Sequence, residues 1–336
     1  MKAARSLAAT AALICLHGVA ATSSLPSIKL GFNIQRSTME VYGASSFDVY
    51  VRPVLSGANV TFDGKVTFEQ DGTTHNLYVV DRVPYHEVVN STTDSTTCLP
   101  TELFPSVPEI VDAIASATAV SAVNTDQDIS CTNGTWLSTT FAGESYVLCT
   151  GTDAEDGNFT VYGEDLSISF EYLSEDVTIT KPMNAPSDCS AVSDGSVALS
   201  SLGQLYGITM SRSRRVLKEE AAAVHLASST CTCQGTPRPC LFFHGMDVTT
   251  DGGIVDSYSF FGLLAGGLLI PHHSSKNDGI VEFQSCIGNL DSSSFQTTYS
   301  TTWYAAALNH ADTTFHNGEG LFSSAKKPLK WFECLL

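Results

Sequence analysis

The sequence predicts an α+β chain of two domains: an antiparallel, β-rich N-terminal domain with one main helix, then a C-terminal domain of different character. Three observations carry this. Residues 27–172 are dominated by short alternating or β-branched runs, and one stretch there has helical spacing. The chain also changes character near residue 212. Thr22–Ser211 hold 6 Lys+Arg against 24 Asp+Glu, a net charge of −18, whereas Arg212–Leu336 hold 9 against 11, a net charge of −2.

The expected strands are Ser27–Gln35, Phe47–Val54, Asn59–Glu69, His75–Val80, Ser145–Cys149, Asn158–Gly163 and Leu166–Tyr172. Asp63-Gly64 and Asp71-Gly72 read as turns, because these dipeptides tolerate the left-handed backbone of tight hairpins. The helix falls within Val107–Val123, where Val107, Ile110, Val111, Ile114 and Ala117 repeat after Pro105 and Pro108. Strands, a Pro-started helix, Cys131–Trp136 and further strands together resemble curved half-barrel sheets that hold lipids.

The first residues read as a secretory signal, residues 1–21. Lys2 and Arg5 precede the apolar core Leu7–Leu16, and Val19-Ala20-Ala21 suits a peptidase site before Thr22. No later run reaches roughly 18 apolar residues, so no transmembrane anchor is expected. The expected localisation is extracellular. Sequons at Asn59, Asn90, Asn133 and Asn158 mark an acidic glycosylated domain over residues 22–211. Its acidity repels phosphates and argues against nucleic acid. Of the ten cysteines, Cys15 leaves with the signal, four lie in the acidic segment and five follow it. In a secreted chain most should pair, and an odd five implies a free thiol, an intermolecular bridge or a lost partner.

No catalytic constellation stands out in the acidic segment. Glu164-Asp165 reads as solvated loop charge, and His75 and His86 read as isolated. Residues 212–230 form a basic linker. Arg212-Ser213-Arg214-Arg215 fits the R-x-[KR]-R pattern of secretory processing proteases, and equally a basic cluster capping a linker, with a helix expected over Val216–Leu226.

Residues 231–336 carry the chemistry. The run Cys240–Phe243 ends in His244-Gly245, Asn277-Asp278-Gly279-Ile280-Val281 follows, and Asn309-His310-Ala311-Asp312 comes before the terminal Lys327–Leu336. These residues, in this order, resemble the α/β-hydrolase superfamily, in particular secreted serine esterase or lipase-like proteins of microbial eukaryotes. The resemblance implies a truncated three-layer α/β fragment. It implies an oxyanion loop at His244 and Gly245, whose backbone amide would meet developing charge, and a remnant triad of Asp278 and His310. His244 reads equally as a core-edge histidine hydrogen-bonded to backbone, and the lesser alternative for Asp278 is a turn-forming residue before Gly279. No G-x-S-x-G elbow exists anywhere in the chain, and Ser257 and Ser259 lack flanking glycines. His272, His273, His310 and His316 have no carboxylate or cysteine at ligand spacing, so neither metal nor cofactor is expected.

The expectation is therefore a secreted, hydrolase-derived pseudoenzyme. Its alternatives are an incomplete version of an active secreted esterase or lipase, and a secreted binding module built on the N-terminal domain. Implied partners are an ester or lipid ligand and an extracellular protein.

Overall fold

The computed structural model describes residues 25–101, 104, 106–132, 134–150, 158–193, 195–203, 223–226, 276, 283–287, 290–308 and 319–335. A 12-stranded antiparallel sheet dominates them. Its strands are β1 (Ile28–Ile34), β2 (Ser46–Ser56), β3 (Asn59–Gln70), β4 (Thr73–Val80), β5 (Val83–Val89), β6 (Asp94–Cys98), β7 (Thr118–Ala119), β9 (Thr135–Phe141), β10 (Glu144–Thr150), β11 (Phe159–Tyr162), β12 (Leu166–Tyr172) and β13 (Ser196–Ala198). The order is β6-β5-β4-β3-β2-β1-β12-β11-β10-β9-β7, with β13 added on β3. Separately, β8 (Val123–Asn124) pairs in parallel with β14 (Val224–His225). The helices are short: α1 (Val107–Ala115), α2 (Phe283–Cys286) and α3 (Pro328–Leu335).

This architecture corrects the expected fold class. The described part of the C-terminal third forms no three-layer α/β-hydrolase fragment; the sheet is antiparallel and drawn almost wholly from residues 28–198. The reason is local connectivity. Most neighbouring strands are joined by hairpins too short to hold the helix a parallel crossover needs. Tight two-residue hairpin loops carry left-handed backbone at Asp71-Gly72 (φ 51° and 75°), Asp81-Arg82 (φ 51° and 67°) and Ala142-Gly143 (φ 50° and 80°). Asp63-Gly64 is not a turn. It lies inside β3, where buried Asp63 accepts hydrogen bonds from Arg52 and from the Asp81 backbone N–H. The helix expected over Val216–Leu226 is a short strand at its described end.

Strand alternation gives the sheet two distinct faces. On one, α1 packs Val111 and Ile114 against Leu137, Leu148 and Val161. Ser106 caps that helix, accepting from the Glu109 N–H, and Pro108 sits in its first turn, where a missing N–H costs nothing. Farther along the same face, Leu321 and Phe322 cover Phe32, Ile34 and Ile168. The opposite face over β4 and β5 is covered by a strap, residues 173–192. Its Ile179 packs on Tyr78, Val80 and Tyr85. Cys98–Cys189 pins this strap to edge strand β6, and Cys131–Cys149 ties the loop before β9 to β10. Cys334 is also disulfide-bonded.

Candidate functional site

The residues assigned to catalysis from sequence, Asp278, His310, His244 and Gly245, lie outside the described residues, as do Asn133 and the processing residues Arg212, Arg214 and Arg215. The other sequons are placed. Asn59 is exposed at the start of β3. Asn90 accepts from the Thr92 and Thr93 N–H groups and from the Thr92 hydroxyl, an Asx turn that leaves its amide nitrogen outside those bonds. Asn158 is half-buried and accepts from the Tyr172 N–H.

The sheet itself offers a site. β2 and β3 pair only from Tyr50↔Lys65 to Ser56↔Asn59. Before Tyr50, β2 continues along β1; after Lys65, β3 continues along β4. The two strands therefore part company, and a cleft of about 460 Å³ opens between Ser46–Val49 and Val66–Glu69. That volume lies within the range of small-ligand sites. Register parity fixes its chemistry. Phe47, Val66 and Phe68 belong to the apolar face and form the floor, whereas Asp48, Lys65 and Glu69 belong to the polar face and form the rim.

The floor belongs to an aromatic ladder. Phe322 meets Phe32 at 6.1 Å between centroids, Phe32 stacks on Phe47 at 5.0 Å, and Phe47 meets Phe68 edge-on at 5.0 Å. Tyr42 then contacts Phe68 at 5.2 Å and stacks on His75 at 4.3 Å. Tyr42 has a φ of 50°, the left-handed turn that folds its ring back over the sheet. His75 and His86 are not isolated: His75 Nδ1 lies 3.0 Å from His86 Nε2. Their 5.2 Å centroid separation and 23° interplanar angle fit rings joined edge to edge by one N–H···N bond. One ring therefore donates and the other accepts. Burial, reinforced by His75, holds His86 below the usual imidazole range. The two histidines sit one diagonal apart on adjacent strands, a relation the sequence hides because Asp81-Arg82 is not a glycine turn.

A second cluster is structural in character. Arg36, Lys327 and Lys330 meet Glu144, Glu164, Asp165, Glu319 and Glu333. Lys327 is fully buried, and Asp165 is 2% exposed. Glu164-Asp165 is thus no solvated loop pair: both take ion pairs from the C-terminal helix. Burial opposes the charge on Lys327, but Glu144 and Asp165 outweigh it and its pKa is raised. A lysine held charged in this way is an anchor rather than a nucleophile. Tyr299, Tyr146 and Thr38 donate to Glu164, Glu144 and Glu319. Gly163 leads into this corner, where any Cβ would lie 2.7 Å from the Tyr146 ring.

Among the described residues no group of three or more His, Cys, Asp or Glu is placed to hold a metal ion, and no helix is long and apolar enough to cross a membrane. No family model matches the chain, and no curated protein matches it.

Proposed function

We propose that the protein is an extracellular binding module whose β2–β3 cleft receives a small amphipathic ligand of the ester or lipid class. The cleft carries this reading: an apolar floor of Phe47, Val66 and Phe68 lies beneath a charged rim of Asp48, Lys65 and Glu69. Such a site buries an apolar body and orients a polar end. The likeness of the strand, helix and Cys131–Trp136 pattern to half-barrel sheets that hold lipids supports the same ligand class. Binding is favoured over turnover because the chain has no G-x-S-x-G elbow. Of the hydroxyls here, Thr67 donates to Asn76, and the phenol of Tyr42, beyond the floor, lies 3.3 Å from His86 Nε2. Disulfides suit an oxidising compartment.

The test is titration of the full chain with fluorescent acyl esters and a fluorescent fatty acid. Saturable binding is expected, and Thr67→Trp, at an exposed rim position, should abolish it while the protein still unfolds cooperatively, at a melting temperature lowered only by the lost bond to Asn76. Absence of saturable binding by every probe, or unchanged binding by Thr67→Trp, would overturn the assignment. Labelling of any serine by a fluorophosphonate probe would overturn the choice of binding over catalysis.

A further inference from the structure

The strongest unassigned feature is the surface on which the C-terminal segment sits. Everything between the basic seam at Arg212–Arg215 and the C-terminus could in principle separate from the acidic segment once the seam is cut. The described contacts argue the opposite. Glu319 enters a corner made by the turn after β1, where Arg36 reaches it at 3.1 Å and the Thr38 hydroxyl donates at 2.6 Å. Its own backbone N–H donates to the Thr38 carbonyl at 2.8 Å. From α3, Lys330 Nζ lies 2.8 Å from Glu164 and from both carboxylate oxygens of Asp165, and Lys327 pairs with Glu144 and Asp165. Leu321 and Phe322 fill the apolar surface between these charge clusters, against Phe32 and Phe141. Val224–His225, a few residues past the seam, adds a parallel pair to β8.

We propose that the chain, when cut after Arg215, persists as a two-chain protein: the C-terminal fragment stays held to the sheet through its described residues 319–335 by this buried ionic clasp. The cut is ordinary amide hydrolysis by a protease of basic specificity. Water adds across the Arg215–Val216 bond, leaving a carboxylate on Arg215 and an amine on Val216. The acidic segment is then a permanent partner subunit rather than a detachable pro-segment. Charge complementarity supports the pairing, since Lys327 and Lys330 face carboxylates of a segment carrying a net −18. Burial makes the pairs resistant to salt screening. The association does not rest on a cross-link from the sheet's own cysteines, because Cys98, Cys131, Cys149 and Cys189 bond among themselves. The inference is independent of whether the β2–β3 cleft has a ligand.

The test uses full-length protein secreted from cells lacking basic-specific convertases, then treated with a purified convertase. Two bands are expected on a denaturing gel with or without reductant. A single co-eluting species is expected on size exclusion at neutral pH, in low and in molar salt. Resistance to the convertase, or two separately eluting fragments, would overturn the proposal. Asp165→Asn should turn the co-eluting product into separated pieces after cutting. Should that variant fail to fold uncut, Glu333→Gln, which weakens one partly exposed contact of Arg36, should instead raise fragment dissociation severalfold; no change would count against the clasp.

Discussion

Lys330 and Asp165, 165 positions apart in sequence, meet with the ammonium 2.8 Å from both carboxylate oxygens, each residue 2% exposed. A buried pair contributes little relative to well-packed apolar residues, but removing one partner strands the other charge, at a cost of about 3–5 kcal/mol. Asp165→Asn is therefore expected to lose stability on that scale in denaturant unfolding. Asp165→Leu combined with Glu144→Leu, Lys327→Met and Lys330→Met should be less destabilised than Asp165→Leu alone. Equal losses in the two would show that the charges are not mutually dependent.

Alkaline pH should weaken the fold before its side chains titrate freely. Burial, with help from Glu87, pushes the Tyr78 phenol from 10.0 up to about 12. Burial likewise raises Tyr146, Tyr299 and Tyr304. The unfolded chain then releases protons that the folded one retains, so stability falls with rising pH from about 10 until the folded values are passed. Lys327, also raised, has the same sign: its contribution is present below the unfolded value and lost above the folded one. Phenolate absorbance should rise in step with loss of the circular dichroism signal. Smooth ionisation of these tyrosines near pH 10 in folded protein would refute it.

Acid acts through the histidine pair. The folded His86 has a pKa below 6.5, so the unfolded chain takes up its proton first, and stability declines as pH drops below that value. His86→Gln should flatten the melting temperature against pH in this window. A slope identical to wild type would assign it to other groups.

The two disulfides differ in the loops they close, with separations of 91 for Cys98–Cys189 and 18 for Cys131–Cys149. On chain entropy alone the longer loop contributes about 1.4 kcal/mol more at 25 °C. Cys98→Ser with Cys189→Ser should also free the strap over Tyr78 and Val80, so limited proteolysis should cut residues 173–192 first. Greater damage from removing Cys131–Cys149 would show that the strap is held by packing alone.

Local chemistry made several elements readable. β12 occupies the alternating run Leu166–Tyr172 residue for residue, and α1 begins where the repeat of Val107, Ile110, Val111 and Ile114 starts. Asp71-Gly72 turns as its left-handed tolerance implies. Other features were hidden. Asp63-Gly64 has the same turn composition, yet Asp63 is recruited by Arg52 and the Asp81 N–H, partners supplied by neighbouring strands. The cleft has no local signature, since it arises where β2 and β3 each keep only their outer neighbour.

The sequence by itself determined the strand periodicity, the start of the main helix, the hairpin at Asp71-Gly72 and the acidic balance of the first segment, because each depends on residues within a few positions of one another. Only the tertiary structure decided that the sheet runs unbroken from β6 to β7, that His75 and His86 share a hydrogen bond, and that Lys327 and Lys330 are buried against Glu144 and Asp165. A charge looks solvated in sequence whenever its partner lies far along the chain. Its burial is settled only when packing removes water from both.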